Sequence, residues 1–256
     1  MTSGVLLDER KELSYRERWG LYRERWGLVA AAHAVFFHCL RRWPGLRVYA
    51  IYARPLIPPK GSRPAVPGFS FRVFEQSEAE ALIACAKRPE LELSETFVRD
   101  ALDKGDACHA ILCNDELVSY TWSAFTPTHD TNGVYAGFGE KDRYVYKAFT
   151  LPEFRGRHLY RVFKPLGDGY CIARGCTHAI GFVKVDNRPS IHALLALGYH
   201  RIGFAVYLKR GPLFVAFRTP GVRRRGFRFF VPPKGDEDGD SENQLDSAGR
   251  TRSLVE

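Results

Sequence analysis

Between Thr150 and Tyr160 the chain reads Thr-Leu-Pro-Glu-Phe-Arg-Gly-Arg-His-Leu-Tyr. Residues of these types at this spacing suit the holding of a phosphate. A strand-like run ends at Pro152, which removes a backbone donor, and a run with helical apolar spacing comes next. A helix N-terminus leaves several amide N–H groups without intrahelical partners and carries the positive end of the helix dipole. Arg155 and Arg157 add mobile positive charge beside those amides. Gly156 permits a left-handed backbone or the close approach of a ligand. An ordinary exposed turn with solvated arginines would use the same residues, so the turn alone does not decide between the two.

The elements that must position this turn are set by periodicity and punctuation. FSFRVF at 69–74 alternates as a strand, and 77–88 reads as a helix. SETFVRDALDKG places Ser94 as a helix N-cap and Gly105 as its terminator. ACHAILCNDELVSYTWSAF predicts a hairpin, two apolar runs joined by a polar Asn-Asp-Glu turn. A strand at about 143–151 delivers the turn, and a helix over 156–174 leaves it. HAIGFV is a buried strand, 187–197 a helix, and HRIGFAVYLKR and PLFVAFR the last two strands.

This order resembles the GNAT superfamily of acyl-CoA-dependent N-acyltransferases, in which a central strand passes through V-x-P-x-Y-R-G-x-G-x-G/A into a helix. Thr150 to Tyr160 match that signature. DNRPSIHALLALGYHRIG at 186–203 is similar to the family's second element, with Asn187, Ser190, Gly198 and Tyr199 at matching spacing. The resemblance covers about 69–218 and implies a mixed α/β (α+β) fold, a mainly antiparallel central sheet flanked by helices. It implies transfer of an acyl group from acyl-CoA, acetyl-CoA foremost, to an amine. The pyrophosphate would lie on Arg155, Gly156, Arg157, His158, Leu159 and Tyr160. The pantetheine would pair with Ala148, Phe149 and Thr150, and Asn187 would contact it or serve as a helix N-cap. An amide at 149 or 150 would polarise the thioester carbonyl.

Four positions depart from the family pattern. His158 and Tyr160 stand where the signature has small residues, and Leu194 stands where many members carry a tyrosine that protonates the thiolate. Tyr144 replaces a frequent glutamate. Tyr144 and Tyr146 share one strand face and are the candidate catalytic phenols, for acid/base work or substrate positioning, with half-buried strand packing as the alternative. Asp142 is the nearest carboxylate and a candidate base acting through water. His192 is expected to be exposed rather than catalytic.

The rest of the chain bounds the partners. A net charge of +9 and a pI near 9.3 favour anionic ones. The six cysteines form no Cys-x-x-Cys pair and no metal-binding spacing, and read as reduced thiols of a cytoplasmic protein. The first twenty residues are charged and lack an apolar core, so no signal peptide is expected. YRERWGL occurs twice in tandem, at 15–21 and 22–28. On a helix this gives a stripe of Tyr15, Trp19, Tyr22 and Trp26 flanked by arginines, suited to packing, to homodimer contact or to peripheral attachment at a membrane surface. The expected organisation is an N-terminal helical extension over 1–54, a proline-rich linker over 55–68, the acyltransferase-like domain over 69–218, and a basic then acidic, largely disordered tail over 219–256. The expected acceptor under the resemblance is a small-molecule, lipid or cell-envelope amine. Two other readings stay open: a non-catalytic acyl-CoA-binding module, and a nucleic-acid binder using GVRRRGFRFF at 221–230. Nucleic acid is not the expected partner.

Overall fold

The computed structural model describes residues 44–59, 66–131 and 133–233. The tandem heptads, residues 60–65 of the expected linker and the acidic end of the tail lie outside the described residues. The described residues from Gly45 onward form one compact unit.

Eight strands form the main sheet: β1 (Leu46–Pro55), β2 (Phe69–Phe74), β3 (Ala107–Cys113), β4 (Glu116–Ala124), β7 (Asp142–Thr150), β8 (His178–Lys184), β9 (His200–Arg210) and β10 (Leu213–Arg218). Their order is β10-β9-β1-β8-β7-β4-β3-β2. Every neighbouring pair is antiparallel except β7 and β8. A second sheet joins β5 (Thr128–Thr131), β6 (Val134–Gly137) and β11 (Arg228–Phe230) in the order β11-β6-β5. The described helices are α1 (Ala79–Cys85), α2 (Glu95–Asp103), α3 (Leu159–Ala173), α4 (Arg188–Ala196) and α5 (Pro220–Arg224). This is the mixed, mainly antiparallel sheet with flanking helices that the resemblance implies. No described helix is long and apolar enough to cross a membrane.

Local chemistry explains the joints. Ser94 caps α2 by accepting from the Phe97 N–H at 3.2 Å, which is worth ~1 kcal/mol. Asn114 and Asp115 both take positive φ, 50° and 62°, in the two-residue turn between β3 and β4. Asn and Asp tolerate that left-handed pair, which matches the twist of the strands it joins. Side-chain alternation then sends neighbours to opposite faces. Trp122 meets Phe97 of α2 edge-on at 5.2 Å, while adjacent Thr121 faces a cavity it shares with Phe163, Lys164 and Gly167 of α3.

Two expected boundaries are corrected. Leu46–Pro55 belongs neither to a helical extension nor to a linker: it is a strand inside the sheet, paired with β8 on one side and β9 on the other. Tyr49 to Ala53 are all buried, so the segment lacks the alternation that marks a half-exposed strand. The basic part of the expected tail is also folded. Val222 and Phe227 are fully buried and Phe229 nearly so, and they pack in one apolar cluster with Tyr49, Ile51, Ile180 and Tyr207. The hairpin of β5 and β6, not expected from the sequence, completes that cluster with Val134 and Ala136.

Candidate active site

The parallel pair at the centre of the sheet is short. β7 and β8 are in register only at Asp142 with His178, Arg143 with Ala179, and Tyr144 with Ile180. Beyond Tyr144 the pairing stops, although both strands continue. At that level β7 also carries a bulge: Tyr146 pairs with Trp122 and Phe149 with Tyr120, so Lys147 and Ala148 together oppose Thr121. Lys147 takes a left-handed φ of 43° and its ammonium lies over the Phe97 ring, 3.8 Å from the centroid. A bulge bends its strand and re-aims the residues beyond it. After it, the Leu151 N–H donates to the Val118 carbonyl at 2.9 Å, so odd positions face β4. By alternation the amides of Ala148 and Thr150 face the side on which β8 has left the pairing.

The turn at the end of β7 has the features expected of an anion cradle. Pro152–Phe154 form one 3-10 turn, Gly156 has φ 76°, and His158 enters α3 in the left-handed region at φ 52°. The first intrahelical hydrogen bond runs from the Val162 N–H to the His158 carbonyl at 3.1 Å, and no side chain caps the helix. The amides of Leu159, Tyr160 and Arg161 therefore precede the helical ladder and point out of its end. Arg155 is tied back to β7: its Nε donates to the Thr150 carbonyl at 3.1 Å, and its guanidinium lies 5.8 Å from the Phe149 centroid. Arg157 lies over Phe154 at 5.2 Å.

The departures from the family signature find places. The Tyr160 ring turns to the sheet side of α3, where it lines a cavity with His109 and Arg143, and burial pushes its phenol up to about 12. His158 is exposed in a conformation that costs a non-glycine residue ~1–2 kcal/mol. His158→Gly is therefore expected to raise the unfolding free energy by about 1 kcal/mol. A loss of stability in urea unfolding would show instead that the imidazole makes a stabilising contact.

Tyr144 and Tyr146 do share a face, their rings stacked at 5.7 Å with 12° between planes. The two phenols differ in what holds them. Tyr146 donates to Asp106, whose carboxylate also meets Lys104 at 3.2 Å and whose pKa burial raises. Tyr144 lies flat against Phe182 of β8 at 4.6 Å. Among the described residues its hydroxyl has no hydrogen-bond partner. Burial raises both phenols far above their ordinary range, so both are held protonated.

Asp142 does not fit the expected role of base. It is 4% exposed and accepts from Arg225 Nη2 at 2.6 Å, a partner that locks the C-terminal segment to the closed end of the β7–β8 pair. Asn187 caps α4, its Oδ1 accepting from the Ser190 N–H at 3.3 Å. His192 is exposed.

Sequence reasoning missed the charged cluster beneath α3. Asp168, wholly buried, accepts two bonds from Arg54 at 2.7 Å, one from Arg143 at 2.8 Å and one from Lys164 at 3.1 Å. A carboxylate on the apolar stripe of a helix was the available signal, since such a group needs a cation. Asp130 was missed as well: it is buried between the hydroxyls of Tyr49 and Tyr207, which donate at 2.9 and 2.6 Å.

No protein-family model matches the chain, and neither does any curated protein. In fold it is similar to a tandem GNAT protein from the clavulanic acid biosynthesis pathway, at 16% identity and TM-score 0.41 over 68% of this chain and 54% of that one. It is similar to a GCN5-related N-acetyltransferase from Kribbella flavida, at 16% and 0.39 over 77% and 66%. It is also similar to the aminoglycoside N-acetyltransferase AAC(6')-Iy in complex with CoA, at 16% and 0.40 over 61% and 99%. The chain thus spans less than two thirds of the first two proteins. At such identities and TM-scores these likenesses carry no functional weight, and the reading of the site rests on its own geometry. The first two are GNAT proteins by name, the family that residues 150–160 and 186–203 resemble.

Proposed function

We propose that the protein is a GNAT-type acyltransferase that moves an acyl group, acetyl foremost, from acyl-CoA to an amine. One observation carries the reading. A strand that parts from its parallel neighbour after three residues runs directly into a helix whose first amides are uncapped, through a turn bearing Arg155, Gly156 and Arg157. The residues fit the co-substrate. The amides of Leu159, Tyr160 and Arg161 and the two guanidiniums suit a pyrophosphate, and the N–H groups of Ala148 and Thr150 suit the amide-rich arm attached to it.

Acyl-CoA supplies the activated thioester carbonyl. The chain's part is to hold that carbonyl against a strand N–H as charge develops on its oxygen, while the amine nitrogen bonds to carbon and the carbon–sulfur bond breaks. Tyr144 stands on the same strand with a free, protonated hydroxyl, and is the side chain best placed to orient the acceptor or to give a proton to the leaving sulfur. The reading as a binding module without turnover draws on Leu194 and on three carboxylates already engaged: Asp142 by Arg225, Asp106 by Lys104, and Asp130, whose charge acts on the Tyr144 phenol, by the hydroxyls of Tyr49 and Tyr207. The nucleic-acid reading loses two of its three stacking groups, because Phe227 and Phe229 face the core; Phe230 is half-buried, and Arg223, Arg224 and Arg228 are the exposed arginines of that stretch.

The test is an acyl-CoA panel against pooled amines, read as free thiol release, with calorimetry of coenzyme A binding alongside. Arg155→Glu should weaken coenzyme A at least tenfold, ~1.4 kcal/mol, through repulsion of the pyrophosphate and release of the Thr150 carbonyl. Binding without thiol release in any pairing would rule for the binding module. No binding at all would remove the reading altogether.

A further inference from the structure

The main sheet has two edges, and they are finished differently. At β2 the solvent-facing positions are Ser70 and Arg72, and Arg72 is paired with Glu78 at 2.7 Å. At β10, the strand at the other end of the order, they include Leu213, Val215 and Phe217, which are 52%, 57% and 66% exposed. No charge or proline interrupts the run from Leu213 to Phe217. Folded proteins usually blunt an edge with one or the other, because an unguarded apolar edge invites a further strand.

The backbone of β10 is as available as its side chains. The Lys209 N–H donates to the Gly45 carbonyl at 3.0 Å, and the Thr219 N–H to the Phe204 carbonyl at 3.0 Å. Odd positions of β9 therefore turn their peptide groups to β1, and even positions turn theirs to β10. Leu213, Val215 and Phe217 stand opposite Arg210, Leu208 and Val206, so their own peptide groups are engaged by β9. Those of Phe214 and Ala216 point outward and meet no backbone partner among the described residues.

Residues paired across strands also share a face. Arg210 and the half-buried Leu208 and Val206 therefore continue the apolar strip of β10, and at its far end the exposed Arg201 lies over Phe204 at 5.0 Å. Neither arginine has a carboxylate partner among the described residues. The surrounding charge is one-sided. Between Asp186 and Asp236 the sequence holds ten lysines and arginines and no aspartate or glutamate.

We propose that the β10 edge is a docking site for an extended, acidic-flanked segment of a partner protein, which joins the sheet as an added strand. Its backbone pairs with Phe214 and Ala216, its alternate apolar side chains cover Leu213, Val215 and Phe217, and its acidic ends meet Arg210 and Arg201. Other occupants match fewer of these features. A bilayer offers no hydrogen-bond partner to the outward peptide groups. A second copy sets one basic edge against another. Nucleic acid gains no stacking from leucine and valine. The acidic run of this chain from Asp236 lacks alternate apolar residues. The site stands apart from the turn at Arg155 and Arg157 and does not rest on the acyl-CoA reading.

The experiment titrates the full chain with an end-blocked peptide, Glu-Glu-Val-Thr-Val-Thr-Val-Glu-Glu, read by fluorescence anisotropy of a labelled copy and by hydrogen exchange over residues 213–218. Saturable binding with slowed exchange there is expected, and weaker binding of a peptide of the same composition whose valines are consecutive. Ala216→Pro removes an outward donor without touching the pairing to β9, so it should keep the melting midpoint and abolish peptide binding. Arg210→Glu should weaken the peptide roughly tenfold through like-charge repulsion and favour its lysine-ended counterpart instead. No binding of the glutamate-ended peptide, or undiminished binding by Ala216→Pro, would overturn the proposal. So would exchange at 213–218 that is already slow in the free protein. If that protection grows with protein concentration, the edge belongs to a second copy; if it does not, it belongs to a segment of this chain. Exchange slowed by phosphatidylserine vesicles and not by the peptide would assign the edge to lipid and overturn it equally.

Discussion

Asp168→Asn is expected to lower the unfolding free energy by ~3–5 kcal/mol, a fall of roughly 6–20 °C in melting midpoint for a chain of this size. The amide keeps the volume of the carboxylate and removes its charge, leaving Arg54, Arg143 and Lys164 together in a site that is wholly buried at Asp168. The pH dependence has a definite sign. Burial alone would raise the Asp168 pKa, but the hydrogen bonds and charges of Arg54, Arg143 and Lys164 outweigh it and hold the carboxyl below its usual range. A depressed folded pKa gives stability that is complete above the unfolded value, about 4, and is lost as pH falls through the folded one. The gap between wild type and variant should therefore stay constant from neutral pH down to about pH 4 and close only below it. Urea unfolding across that range measures the gap. A difference under ~1 kcal/mol at neutral pH, within the range of exposed ion pairs, would show that the cluster is not a structural centre.

That cluster also marks where sequence reasoning stops. Periodicity, turns and caps carried β9 and β10, the hairpin of β3 and β4, and the helices opened by Ser94 and Asn187, which all stand where their patterns put them; β3 and β4 are buried on both faces and were legible from the polar turn between their apolar runs. The strand, turn and helix around residues 150–160 were legible because all their parts are consecutive. β1 was not, because it is buried on both faces with no hairpin turn to mark it, and the apolar run before it invited a longer helix. Pro55 looked like the start of a linker but is the strand's last residue, opposite His178. The site's electrostatics were hidden for a different reason. Arg54 and Asp168 are 114 positions apart, and Asp142 and Arg225 are 83. No spacing rule links such pairs, since topology alone brings them together. Asp142 looked available as a base because its partner lay in a stretch that read as tail.

Phe227→Ala is expected to cost ~3–5 kcal/mol, an outcome incompatible with a disordered C-terminal stretch. The segment is fastened at several points. Thr219 Oγ1 accepts from the Phe204 N–H at 3.0 Å, directly above Gly203, where any Cβ would come within 2.0 Å of that oxygen. Arg218 donates to the Phe227 carbonyl at 2.7 Å, and Arg225 holds Asp142. These contacts deliver the Phe227 ring, fully buried, to Phe229 at 5.1 Å and to Phe182 at 5.5 Å. Phe182 is the ring on which Tyr144 stacks. Truncating Phe227 therefore removes core packing and also the support behind Tyr144 on the β7 face, so under the proposed acyltransferase function thiol release by the variant should fall by more than its folded fraction explains. Phe229→Ala should destabilise to a similar degree, whereas Arg223→Ala and Arg224→Ala, at exposed positions of the same stretch, should stay within about 0.5 kcal/mol of wild type. Urea unfolding of the four variants separates the two pictures. Four small and equal changes would return residues 219–230 to the status of a basic tail. Two large losses at the phenylalanines beside two neutral arginines would fix them as the last piece of the fold's apolar core.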